Sequence, residues 1–223
     1  MLDFSLDRRA ILKLGLTGSA WALSERIRVR LARTAPPVPL DAREHRLANV
    51  SQLTFGGLNA EAYFDWSGSR LIFQSTRPPF GCDQIFTMRG DGSDVRLVST
   101  GQGRTTCSFF FPDGKRFIYA STHLGDADCP PTPDRSRGYV WPIYPTYEIF
   151  SADLDSGRLR RLTDNDGYDA EGAISPDGRQ IVFTSLRNGD LDLYLMDADG
   201  DNLRRLTDRP GYDGGPFFSR ERS

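Results

Sequence analysis

A pattern of about 44 residues recurs along this 223-residue chain and constrains its fold more than any single residue does. The clearest copy covers residues 168–208, and a looser copy covers 59–100. A third copy between them is split into residues 105–122 and 148–164. Leu-Thr-like pairs close the copies at intervals of 44, 65 and 44 residues: Leu53-Thr54, Leu97-Val98, Leu162-Thr163 and Leu206-Thr207. The middle interval therefore contains an insertion of 21 residues.

Short β-branched and aromatic segments within each copy predict strands. In the clearest copy, Gln180–Ser185 and residues 191–197 are of this kind. A Ser-Pro-Asp-Gly turn at residues 175–178 recurs as Phe-Pro-Asp-Gly at 111–114, with a weaker version at 66–69. Hairpins rich in Asp and Gly follow later in each copy. Four short strands per 44 residues, here named a to d, are typical of one blade of a β-propeller.

These turns and hairpins resemble the repeat of TolB-like β-propellers, which reads roughly Ser-Pro-Asp-Gly, a strand, and an Asp-x-Asp-Gly hairpin ending on Leu-Thr. The resemblance covers residues 59–219, and the first copy departs from it by lacking Pro-Asp in its turn. It implies an all-β fold with about three four-stranded blades, at residues 51–100, 101–164 and 165–208. The first strand of a fourth blade would lie within 209–223. Because the repeat occurs in periplasmic scaffolds, peptidase side domains and sugar lyases, it predicts fold better than function.

The fourth copy breaks off at Arg220, where the Ser-Pro-Asp-Gly turn would be expected. Closed propellers generally need at least four blades, so we expect an open arc that is incomplete at its C-terminal end, from a natural or a truncated gene. Open flanks would expose apolar side chains such as Phe217 and Phe218. Self-association through these flanks is a further expectation.

Charge and hydropathy exclude several classes of partner. The net charge of −2 divides into +4 over residues 1–50 and −6 over 51–223. The folded part is therefore mildly acidic, carries no basic stripe, and is not expected to bind nucleic acid. The apolar run at residues 14–23 is too short to span a bilayer as a helix.

The N-terminus resembles an export address. Residues 7–13 (DRRAILK) are similar to a twin-arginine motif, and Ala20-Trp21-Ala22 is a candidate cleavage site. We therefore predict an export signal at residues 1–22, a linker at 23–50, and a periplasmic or secreted protein. An amphipathic N-terminal helix of a cytoplasmic protein is the alternative.

Three cysteines are too few for a disulfide scaffold. In a propeller, the b–c and d–a connections lie on one face. Cys82 falls in the first b–c loop and Cys129 in the insertion, which is the second b–c loop. Adjacent blades would bring these loops together, so a Cys82–Cys129 disulfide is one hypothesis and two free thiols are the other.

The same sorting of loops predicts a partner-binding face. Polar and aromatic residues recur there in a pattern that folding alone explains poorly. The candidate residues are Asn59, Glu61, Arg77, Thr106, Cys107, His123, Trp141, Tyr168, Asp169, Glu171, Arg187, Tyr212 and Asp213. The alternative is structural: Glu61 and Glu171 would form inter-strand ion pairs with Arg77 and Arg187. The insertion, rich in Pro and Tyr, is either a binding loop or a lid over the channel mouth.

Two function classes remain open. The first is an exported, non-enzymatic propeller that binds a protein, peptide or envelope polymer at this face and needs no cofactor. The second is a carbohydrate lyase or hydrolase with a metal at the channel mouth, for which Glu61, His123 and Glu171 are weak candidate ligands. No G-x-S-x-G motif occurs, and no catalytic residue is assigned. The Asp-rich hairpin at residues 197–201 resembles half of a calcium loop, although a blade hairpin needs no ion.

Overall fold

The computed structural model describes residues 38, 41 and 43–219, and these residues form an all-β structure without helices. Three antiparallel sheets of four strands follow one another along the chain. The first contains β1 (Leu58–Phe64), β2 (Arg70–Thr76), β3 (Gln84–Arg89) and β4 (Arg96–Leu97). The second contains β5 (Thr105–Phe110), β6 (Arg116–Ser121), β7 (Glu148–Asp153) and β8 (Leu159–Arg161). The third contains β9 (Asp169–Ile174), β10 (Gln180–Ser185), β11 (Asp192–Asp197) and β12 (Arg204–Arg205).

Each sheet is a meander in which neighbours in sequence pair in space, as predicted for propeller blades. Apolar side chains are buried between successive sheets. Ile72 and Ile85 of the first sheet pack with Phe117 and Phe150 of the second. The second and third sheets share another cluster. Among the described strands, the first and third sheets each pack on the second and not on one another, so the arrangement is unclosed.

The closing pair of each copy has a specific role in its sheet. A hydroxyl in this pair accepts a hydrogen bond from a backbone N–H of the third strand at 2.9–3.0 Å. The accepting hydroxyls belong to Ser99, Thr163 and Thr207. In the first sheet the pair is therefore Val98-Ser99, one residue later than the predicted Leu97-Val98.

The turn that departs from the repeat in the first sheet has its own hydrogen bonds. The Asp65 carboxylate accepts the backbone N–H groups of Ser69 and Arg70, where the Ser175 hydroxyl does the same in the third sheet. Burial alone would raise the pKa of Asp65, but hydrogen bonds from Arg70, Ser67 and Ser69 hold it at about 2. Gly68 closes the turn with φ +72°, as Gly178 does in the third sheet.

A β-bulge interrupts the innermost strand of every sheet. The register shifts between Ala60 and Tyr63 in β1, and at the matching points of β5 and β9. Glu61, Cys107 and Glu171 occupy the bulges with φ of 49°, 50° and 58°. Residues other than Gly rarely adopt this left-handed conformation. A bulge changes the direction of a side chain relative to the regular alternation of a strand. Because the bulge recurs at the same position of each repeat, it reorients these three side chains in the same way.

The segment predicted to start a fourth blade contains no strand over residues 209–219. Gly215 nevertheless repeats the left-handed backbone of the bulges, with φ +62°. The Phe217 ring lies 5.7 Å from that of Tyr63, and Phe218 packs on the third sheet. Phe217 is 60% exposed, as predicted, although its ring also contacts Tyr63 and Phe109. Phe218, also predicted to be exposed, is partly buried. Leu58 and Phe64 are the exposed apolar side chains of the first sheet's inner strand.

The insertion spans residues 122–147 between β6 and β7 and has no strand of its own. A disulfide joins Cys129 of the insertion to the fully buried Cys82 of the first sheet's loop, with 5.8 Å between the Cα atoms. The insertion is therefore attached covalently to the neighbouring sheet.

The predicted export signal at residues 1–22 and most of the linker lie outside the described residues. Within the described part of the chain, no helix has the length and apolar character required to cross a membrane.

Removing the disulfide should destabilise the fold measurably. The bridge closes a separation of 47 residues, for which chain entropy predicts a loss of about 3 to 4 kcal/mol in the free energy of unfolding. We expect this loss for Cys129→Ser in denaturant titrations without reductant. Wild type in reductant should match the variant. Equal stability of the variant and the oxidised wild type would contradict the prediction.

Candidate functional site

A cavity of about 570 Å³ lies where the three innermost strands meet. The bulge residues and their successors form its walls, while the insertion and the segment after β12 contribute the rest. The lining residues are Glu61, Tyr63, Cys107, Ser108, Phe109, Trp141, Ile143, Glu171, Gly172, Leu191, Tyr212, Gly215, Pro216 and Phe217. The structure thus brings five of the predicted face residues to one cavity: Glu61, Cys107, Trp141, Glu171 and Tyr212.

The two glutamates are held by neutral donors. The Tyr63 hydroxyl donates to Glu61 Oε2 at 2.7 Å. Glu171 accepts from the hydroxyls of Tyr168, Thr184 and Tyr212 and from the backbone N–H of Gly215, at 2.7–3.3 Å. Burial and the adjacent carboxylate raise the pKa values of Tyr63 and Tyr212, so both phenols remain protonated donors.

Cys107 and Ser108 line the wall between the two glutamates. Gln74 Oε1 fixes this bulge by accepting from the Cys107 N–H at 3.1 Å and from the Thr106 hydroxyl at 2.9 Å. Burial raises the pKa of the Cys107 thiol to about 12, and the charges of Glu61 and Glu171 act in the same direction. The thiol is therefore neutral at physiological pH. The Ser108 side chain is only 1% exposed, and its Oγ has no hydrogen-bond partner.

Three aromatic rings form a cluster in the lining of the cavity. The centroids of Tyr63, Phe109 and Phe217 lie 5.2–6.0 Å apart, so every ring contacts the other two. Each lies two residues beyond a left-handed residue, at Glu61, Cys107 and Gly215. This common offset was available in the sequence as a pattern, but only the bulge geometry shows that these residues converge.

The insertion, which is the b–c loop of the second sheet, contributes Trp141 and Ile143 to the lining. Trp141 remains 52% exposed. Both roles predicted for the insertion, binding loop and lid, agree with this placement. Tyr144 and Tyr147 support it by packing towards Tyr168.

Arg77 and Arg187 do not pair with the glutamates, and the predicted Glu–Arg ion pairs are wrong. Arg187 donates to Asp169 at 2.9 Å and to Ser185 at 2.7 Å. Arg77 makes the same contacts with Asn59 and Ser75 in the first sheet. Both guanidinium groups also lie over aromatic rings of their own sheets. The residues that repeat for structural reasons are thus the Arg–Ser–Asp/Asn sets, and the bulge glutamates are separate from them.

His123 occupies the position of these arginines in the second sheet and does not line the cavity. Its ring lies 4.6 Å from that of Phe150, and its Nδ1 is 2.8 Å from Ser121 Oγ. The weak metal set of Glu61, His123 and Glu171 therefore does not converge. The described residues include no group of three or more His, Cys, Asp or Glu side chains that could hold a metal.

The remaining face residues have supporting positions. Asp213 is fixed through its backbone N–H, which donates to the Leu191 carbonyl at 2.8 Å. The Asp-rich hairpin at 197–201 is an ordinary turn in which the Asn202 amide donates to the Asp197 carboxylate at 2.6 Å. Sequence reasoning missed nine of the lining residues, because none of them is unusual for its strand or loop: Tyr63, Ser108, Phe109, Ile143, Gly172, Leu191, Gly215, Pro216 and Phe217.

Comparisons with known proteins agree with the fold. A TolB protein of Agrobacterium tumefaciens superposes with a TM-score of 0.54 at 26% identity, over 70% of this chain and 48% of that protein. TolB from Acinetobacter baumannii gives a TM-score of 0.55 at 24% identity, over 70% of this chain and 34% of its own. These similarities support a TolB-like β-propeller arrangement of the three sheets.

An uncharacterized protein of Agrobacterium fabrum is 30% identical over 123 residues, which is 54% of this chain and 34% of that protein. No family model matches the sequence. The chain thus spans between a third and a half of the length of the relatives it matches.

The Arg187–Asp169 ion pair of the third sheet should stabilise the fold, so removing the arginine alone should lower the free energy of unfolding. Asp169 is fully buried, so Arg187→Ala leaves an uncompensated carboxylate and should cost about 3 kcal/mol of unfolding free energy. Asp169→Asn recreates the Asn59–Arg77 pair of the first sheet and should cost about 1 kcal/mol or less. Arg204→Ala, on an exposed outer strand, is the control for denaturant titration. Similar losses for Arg187→Ala and Arg204→Ala would contradict this account.

His123 should make stability depend on pH. Burial lowers its pKa below the ordinary value of 6.5, so the unfolded chain binds the proton more readily than the folded one. Its contribution is complete above pH 6.5 and is lost as the pH falls through the folded-state pKa. The difference in unfolding free energy between wild type and His123→Gln should therefore be constant above about pH 7.5 and should shift against wild type at lower pH. A difference that does not change between pH 8 and pH 5 would contradict the prediction.

Proposed function

We propose that this chain is a non-enzymatic binding module that takes a protein, a peptide or an envelope polymer at the cavity on its b–c loop face. The observation that carries the proposal is the composition of the cavity. Three inner strands and a lid from the insertion enclose about 570 Å³ that is mostly aromatic and aliphatic, with a few directed polar groups. Binding sites in proteins typically have this volume and this balance of apolar and polar groups.

The lid supplies the residue types that anchor partners. Trp141 is half-exposed at the cavity, and Tyr139 is 76% exposed on the same loop. Trp and Tyr dominate the binding energy of protein interfaces because they bury a large area at little entropic cost. The disulfide at Cys129 restrains the loop that presents them. A partner segment would thus meet a partly ordered surface, which lowers the entropic cost of binding.

A metal-dependent lyase or hydrolase, the second class left open by the sequence, gains no support from the described residues. His123 faces Phe150 and Ser121, away from the cavity-lining glutamates. The proposal therefore stays with binding.

Export to an oxidising compartment forms part of the proposal. Its support is the Arg-Arg motif near residues 7–13 together with the Cys82–Cys129 disulfide, since structural disulfides persist mainly outside the cytoplasm. Cell fractionation of the tagged full chain tests it.

Self-association through the exposed Leu58 and Phe64 is also proposed, and light scattering over a concentration series would detect it.

The binding proposal predicts that substituting Trp141 lowers the affinity for a partner peptide and that substituting Trp66 does not. Random peptides displayed on phage would be selected on the full chain, and the enriched peptides titrated against wild type, Trp141→Ala and Trp66→Ala. Trp66 is also half-exposed, but it lies in the a–b turn on the opposite face. We expect at least a tenfold loss of affinity for Trp141→Ala and little change for Trp66→Ala, because only Trp141 lines the cavity.

The same titrations would be repeated with isolated cell-wall polymer to separate a polymer partner from a peptide partner. Equal effects of the two tryptophan substitutions, or no binding by either class of probe, would contradict the proposed function.

A further inference from the structure

The cavity concentrates negative charge without any cation to balance it. Glu61 and Glu171 both line it, and no lysine, arginine or histidine occurs among the described lining residues. Every hydrogen bond given to these carboxylates comes from a phenol, a hydroxyl or a backbone N–H. The neutral Cys107 thiol between them changes nothing in this balance.

This arrangement differs from the treatment of other buried carboxylates in the described chain. Glu171 is 9% exposed, and the four other buried acidic side chains each pair with an arginine at 2.5–3.1 Å. The pairs are Asp65–Arg70, Glu148–Arg161, Asp169–Arg187 and Asp192–Arg205. Burying a carboxylate is costly unless a cation compensates it. Glu171 is the exception, and it lines a cavity that a ligand can enter together with a second acidic side chain, that of Glu61.

A second observation points to a ligand independently of charge. The Ser108 hydroxyl lines the same cavity, is buried, and has no hydrogen-bond partner. Buried hydroxyls are nearly always paired, so an unpaired one at a cavity wall indicates a polar group that arrives with the occupant. A hydroxyl can accept a hydrogen bond from an N–H donor.

The apolar lining restricts the cation further. Phe109, Phe217 and Trp141 contribute aromatic rings to the lining, and Ile143 and Leu191 add aliphatic surface. Aromatic faces attract ammonium and guanidinium groups, and aliphatic walls accommodate the methylene stems that carry them. A hydrated inorganic cation would find few oxygen ligands here, because the described residues form no metal-binding group.

We propose that this cavity is a receptor for one organic cation, namely the ammonium or guanidinium group of a Lys or Arg side chain on a bound peptide. Glu61 and Glu171 compensate the charge, Ser108 accepts one N–H, and the aromatic rings contact the stem. The inference rests on the proposed peptide-binding function and names the feature of the partner that is recognised.

The test uses the full chain and five probes: the peptides acetyl-Gly-Gly-X-Gly-Gly-amide with X as Lys, Arg, norleucine or Glu, and n-butylammonium. Binding is followed by NMR through the Trp141 indole N–H. We expect the Lys and Arg peptides to bind at least tenfold more tightly than the norleucine peptide, which has the stem without the charge. The Glu peptide should not bind, and salt should weaken the cationic peptides.

Matched variants test whether Glu61 and Ser108 contribute to binding of the cation. Glu61→Gln keeps an acceptor for the Tyr63 hydroxyl and should lower the affinity for the Lys peptide at least tenfold. Glu44→Gln makes the same change at an exposed position away from the cavity and should have no effect. Ser108→Ala should weaken binding severalfold and serves as a second variant that leaves every charge in place.

Competition by n-butylammonium would show that the cation is recognised by itself, whereas Lys-peptide binding without competition would show that the peptide context is required. Both results support the proposal. Equal binding of the Lys and norleucine peptides, or full affinity in Glu61→Gln, would overturn it. If display-selected peptides bind at Trp141 without a Lys or Arg, the inference fails and the proposed function stands. If n-butylammonium binds but no peptide does, the site is a small-cation site and the proposed function fails.

Discussion

Each sheet of this protein buries its apolar face against the next sheet, and the position of the cavity depends on that contact. Ile, Phe and Tyr side chains from the second and third strands fill the space between sheets, so the first strands are held at the inner edge. Because side chains alternate along a strand, a regular first strand would direct every second residue into these interfaces. The bulges at Glu61, Cys107 and Glu171 interrupt the alternation and turn the side chains towards the centre.

The molecule uses its polar groups in two ways. Away from the centre, buried acids are compensated within the chain, as Asp169 is by Arg187 and Glu148 by Arg161. At the centre, Glu61 and Glu171 receive only neutral donors. These acid–arginine pairs stabilise the sheets, and because their charges are already compensated they do not attract a charged partner. The central acids retain their capacity to attract an external cation, which is why binding is proposed there and not at the arginines.

The period and its turns were sufficient to predict the sheets, their order and the side of the molecule on which Cys82 and Cys129 meet. The site was predictable only in part. Glu61 and Glu171 were identified because they recur, but their expected pairing with Arg77 and Arg187 was wrong, since a one-residue register shift cannot be read from hydrophobic alternation. The role of Phe217 also escaped prediction, because its contacts with Tyr63 and Phe109 join residues more than 100 positions apart.

The left-handed residues of the inner strands have a consequence for how such a protein can change. The backbone at these points follows from the repeat, whereas the residue type varies: it is Glu at 61 and 171, Cys at 107 and Gly at 215. The cavity is thus lined by equivalent backbone positions that carry different side chains. Selection can exchange one of these side chains at a time, and so alter what is recognised, while the sheets that hold the positions stay unchanged.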